Sequence, residues 1–69
     1  MIDKAEFQKI LEMEREALSL YSSFYDQLPD SPIREKILEI RDDEDKHVRI
    51  AEKMLSIVGD ALGGVSRAE

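Results

Sequence analysis

Glu14, Glu44 and His47 are the residues of this chain whose types and spacing can do chemistry. Glu44-Asp45-Lys46-His47 is a Glu-x-x-His pair. Residues three apart on a helix share a face, so both side chains can reach one metal ion. Glu14 stands fifteen residues before Pro29, and Glu44 stands fifteen residues after it. A turn at Pro29 would therefore bring both glutamates to one height in an antiparallel helical hairpin, roughly 22 Å from the turn at 1.5 Å per residue. His47 would sit one turn farther on. Two carboxylates and one imidazole suit iron or manganese, with zinc or cobalt able to substitute.

Each of the three interrupts an otherwise apolar helical stripe. The first stripe reads Phe7, Ile10, Glu14, Ala17, Tyr21, Phe24, Leu28; the second reads Ile33, Ile37, Ile40, Glu44, His47, Ala51, Met54, Val58. Both are a/d-type series that predict a face turned to a helical core. Carboxylates are rarely buried without a partner, because desolvating an ion costs several kcal/mol or more. A metal ion satisfies all three groups; a polar Glu–His network that fixes register is the bland alternative. Two neighbours extend the set. Asp43 gives Asp-Glu-x-x-His and can accept a hydrogen bond from the distal nitrogen of a ligating histidine in a paired chain. Tyr21, seven residues after Glu14, can donate its hydroxyl to a ligating carboxylate or serve simply as a core aromatic.

The elements that must position these groups are legible in the punctuation. Asp3 with Glu6 forms a capping-box pattern that opens a first helix running to about Gln27. Leu28-Pro29-Asp30-Ser31-Pro32 breaks it, with Ser31 a good N-cap and Pro32 at the first helical position. A second helix should run from Pro32 to about Val58, with Gly59 as its C-cap. Residues 1–59 thus form one all-α hairpin, and residues 60–69, with Gly63-Gly64, a loosely ordered tail.

A lone hairpin leaves its stripes uncovered. Two hairpins packed face to face make a four-helix bundle, so a homodimer is the minimum expected. Its core would hold four carboxylates and two imidazoles at one level. The apolar surface is wider still. Leu11, Leu18 and Tyr25 flank one side of the first stripe, and Met13 and Leu20 the other. Val48, Leu55 and Leu62 flank the second stripe, with Ile50 and Ile57 beside them. That breadth admits subunit contacts beyond a dimer.

Composition narrows the function classes. A chain of 69 residues is one small domain, and with no cysteine it has neither disulfides nor thiolate metal sites. A net charge of −6 argues against nucleic acid and is compatible with attracting cations. No apolar run approaches the length of a membrane span, and Met1-Ile2-Asp3-Lys4 lacks a signal-peptide core. A soluble, cytoplasmic protein is expected.

Ile10-Leu11-Glu12-Met13-Glu14-Arg15-Glu16-Ala17 with Tyr21 resembles the first helix of rubrerythrin-like members of the ferritin-like superfamily. Asp43-Glu44-Asp45-Lys46-His47 resembles their second. A single hairpin carrying one Glu and one Glu-x-x-His thirty residues apart is most similar to the encapsulated ferritins. The resemblance, over about residues 5–58, implies a ferroxidase centre of Glu14, Glu44 and His47 shared between two chains, with Tyr21 beside it. It also implies dimers assembled into a ring-shaped decamer and cargo status within an encapsulin shell. Glu16 falls where that family places an acid of its iron uptake route. Met13 stands where the family has another such acid, and Leu20 where it has a tryptophan. Ala61-Leu62-Gly63-Gly64-Val65 is faintly similar to the family's shell-docking peptide.

The activity so implied is oxidation of ferrous iron by dioxygen or peroxide for storage or detoxification. A rubrerythrin-type peroxide reductase would use the same ligands but needs an outside electron donor, since a cysteine-free chain has no rubredoxin-like site. A non-catalytic helical hairpin is the remaining alternative.

Overall fold

The computed structural model describes residues 3–60, which form two helices, α1 (Lys4–Gln27) and α2 (Pro32–Val58), packed along their length. Both starts follow from capping chemistry. The Asp3 carboxylate accepts from the Glu6 N–H at 3.2 Å. The Ser31 hydroxyl accepts from the Arg34 N–H at 3.4 Å and donates to the Pro29 carbonyl at 2.9 Å. One serine therefore caps α2 and ties down the turn. Leu28 is extended, as a residue preceding proline prefers, and its N–H bonds to the Phe24 carbonyl to close α1.

The far end of α2 differs from the left-handed glycine cap common at helix ends. Gly59 stays right-handed, at φ −58° and ψ −41°, and its N–H reaches the carbonyls of both Leu55 and Ser56. Residues 59–60 carry the chain on in a wider, π-type turn. The docking-like segment Ala61–Val65, and the tail expected over 60–69 beyond Asp60, lie outside the described residues.

The core sits to one side of the two stripes. Leu11, Val48 and Ala51 are buried, with Leu18 and Leu55 packed against them. In the sequence most of these flank the a/d series. Within the series Ile10, Phe24, Ile33 and Ile40 are all at least 38% exposed, while Ala51 is buried and Phe7, Ala17, Tyr21, Leu28, Ile37, Met54 and Val58 are partly buried. The physical reason is width. Each helix carries an apolar arc of nearly half its circumference, and one neighbouring helix covers only part of it. Leu11→Ala is expected to cost about 2–3 kcal/mol of stability, near the low end for a core leucine. Met13→Ala, at a 64% exposed site, should change the hairpin's own stability little. Thermal unfolding followed by circular dichroism checks both.

The hairpin has two unlike sides. Along one edge Arg15 pairs with Glu52 at 3.1 Å. Farther along, Arg41 Nε donates to Ser22 Oγ at 3.2 Å, and Arg34 Nε to the Tyr25 carbonyl at 3.0 Å. The Arg34 guanidinium also lies 3.9 Å above the Tyr25 ring. The other side carries the exposed apolar residues, Ile10, Met13, Leu20 and Phe24 on α1 and Ile33, Ile40, Ile50 and Ile57 on α2, with Glu6, Lys36 and Asp43 among them. At about 100° per residue these positions fall on the Glu14 side of the Leu11–Leu18 line and on the His47 side of Val48. Because Glu14 and His47 meet between the helices, both arcs belong to one face.

Candidate metal centre

The hairpin gathers the three residues that spacing singled out. α1 presents Glu14 from the turn that also carries the buried Leu11, and α2 presents Glu44 and His47 one turn apart beside the buried Val48. His47 Nδ1 lies 3.2 Å from Glu14 Oε2 and 3.7 Å from Glu44 Oε1. One ligand atom from each residue lies within 4.8 Å of the others. Ligands sharing an ion at bond lengths of about 2.1 Å stand no more than roughly 4.2 Å apart, so side-chain adjustments of a few tenths of an ångström suffice.

Burial grades across the cluster. The side chains of Glu44 and Glu14 are 17% and 27% exposed, whereas His47 is 53% exposed on the apolar face. Glu44 Oε2 is the telling atom. It is buried with no hydrogen-bond partner, the one such side-chain oxygen or nitrogen among the described residues. A buried carboxylate oxygen left unpaired carries a penalty of about 1–3 kcal/mol or more. The chemistry of the donors, two carboxylates and an imidazole, fits a divalent cation as the missing partner.

No family model, curated protein or solved structure matches this chain. What the centre does is therefore a question for its own atoms.

Those atoms could supply three donors to one ion. Three protein ligands would leave positions open on an octahedral ion of the first transition row, and the cluster borders the exposed apolar face. Among the described residues, no hydrogen bond or ion pair joins the other residues expected near the centre to Glu14, Glu44 or His47. Tyr21 is half-buried, its ring edge-on to Phe24 at 6.3 Å and 88°, and no hydrogen bond joins its hydroxyl to either glutamate among the described residues. Asp43 and Glu16 are exposed, without a hydrogen bond or ion pair among the described residues. Asp43 shares its line along α2 with Ile50 and Ile57, which places it on the rim of the apolar face. The orphaned oxygen of Glu44 was not readable from spacing, since burial of one atom depends on how the two helices roll against each other.

Proposed function

We propose that two copies of this hairpin pair through their apolar faces into a four-helix bundle and oxidise ferrous iron at the centre they then share. The observation that supports this most is the orphaned Glu44 Oε2 within the Glu14–Glu44–His47 cluster, on the border of an uncovered apolar face. Pairing doubles the ligand set to four carboxylates and two imidazoles. The four negative charges balance two divalent cations, which removes the cost of burying them unpaired.

Each residue then has a task. Glu14 and Glu44 bind the two substrate ions and hold them close to each other. His47 supplies a nitrogen ligand through Nδ1, and its other nitrogen faces outward, where the Asp43 carboxylate of a second copy can orient the ring. The apolar residues around the cluster exclude bulk water from the reacting ions. In the reaction two ferrous ions give up one electron each to dioxygen. Dioxygen takes up two protons, leaves as hydrogen peroxide, and two ferric ions remain.

Anaerobic titration with ferrous iron followed by air tests this. We expect saturation near one iron per chain and the rise of near-ultraviolet ferric absorbance faster than in protein-free buffer. Oxidation no faster than the protein-free rate would sink the ferroxidase reading and return the hairpin to a structural role.

A further inference from the structure

Met13 is 64% exposed, the highest figure among the large apolar side chains left uncovered in the described residues. The other members of that set are isoleucine, leucine and phenylalanine, so Met13 is the one that offers a thioether. Met54 on α2 is partly buried within the hairpin. At about 100° per residue Met13 and Leu20 form one line on α1, at the outer flank of the apolar arc beyond Ile10 and Phe24. A thioether is soft and unbranched, and it packs against apolar surface much as leucine does. Gain of one oxygen turns it into a sulfoxide, a polar group that no longer suits such a surface. The proposed reaction releases the oxidant that makes this change, hydrogen peroxide.

We propose that Met13 is a peroxide-sensitive modification site whose oxidation keeps the chain from pairing. This rests on the pairing of apolar faces proposed above. Hydrogen peroxide passes one oxygen atom to the Met13 sulfur, which loses two electrons. The O–O bond breaks, an S=O bond forms, and the other oxygen leaves as water. In the single hairpin Met13 is open to solvent; in a pair the second copy covers it. Peroxide therefore acts on unpaired chains, and a rising level of this product slows the formation of new shared centres.

The test treats the chain with hydrogen peroxide over a range of chain concentrations. Peptide mass spectrometry then reads oxygen uptake at each methionine, and sedimentation velocity reads association. Met13 should gain oxygen faster than Met54, and more slowly as the chain concentration rises, because pairing covers it. The oxidised chain should stay helical by circular dichroism and associate at least about tenfold more weakly, the scale of burying an unpaired polar group. Methionine sulfoxide reductases acting on both epimers should restore association. Met13→Leu should lose the response, associating equally before and after peroxide, and Met13→Gln should associate weakly without any. Equal association of oxidised and untreated chains would overturn the proposal, as would a Met13 oxidation rate indifferent to chain concentration or a Met13→Leu chain that peroxide still separates. An untreated chain that is monomeric at every concentration would overturn the pairing itself and this proposal with it; the other adverse results leave the pairing standing.

Discussion

Replacing Glu44 by leucine should abolish metal uptake and, in the metal-free protein, raise the melting temperature. The two effects have opposite signs because, under the proposed reading, the same carboxylate would be a ligand when an ion is present and is an unpaired buried group when none is. Glu44 Oε2 is buried without a partner, and Oε1 stands 3.7 Å from His47 Nδ1, beyond a good hydrogen bond. Leucine has nearly the same shape and no polar atom to orphan. Relief of about 1 kcal/mol would raise the midpoint by about 4–8 °C in a domain of this size. Iron oxidation in the same variant should fall to the protein-free rate. Differential scanning fluorimetry with and without added metal reads both effects. A destabilised Glu44→Leu would mean instead that the carboxylate belongs to a favourable polar network with His47, and the metal reading would lose its main support.

The second large effect concerns the apolar face. Ile40→Asp alters a residue already 38% exposed in the single hairpin, so the helices should form almost as before. Across a paired face the same change removes two isoleucine contacts, worth about 1.5–3 kcal/mol each, and buries two new carboxylates. A dimer dissociation constant at least about a thousandfold weaker follows from some 4 kcal/mol. Sedimentation velocity over a concentration series measures it. Ser19→Asp, an exposed position on the far side of α1, is the control and should leave the association unchanged. A monomer for the wild-type chain at every concentration would remove the second half of the centre.

Much of the hairpin was legible because its signals are local. The Asp3 cap, the Pro29-to-Pro32 break and the Ser31 cap each act within a few residues, and the helix bounds fall where those residues put them. The level of Glu14 with Glu44 needed only the turn position and the helical rise. What spacing left open was rotation about the helix axes. The a/d series names the residues that share a face, but an arc this broad can be divided between neighbours in more than one way. Here Leu11, Leu18, Val48 and Leu55 take the contact within the hairpin, and Ile10, Phe24, Ile33 and Ile40 are left outside it. That roll explains why His47 is more exposed than either glutamate. Spacing likewise did not show that the Tyr21 ring stands edge-on to Phe24.

The contrast between the arginine-bridged edge and the bare apolar face also bears on how such a protein matures. A hairpin that closes through contacts local to one chain folds in a first-order step, indifferent to how many copies surround it. Under the paired arrangement, covering the other face is a collision between two molecules, with a rate that rises as the square of their number. A cell making few copies would then hold folded chains with half-built centres, and doubling the gene dose would more than double the working ones. Dilution in the test tube would silence such a protein without unfolding it.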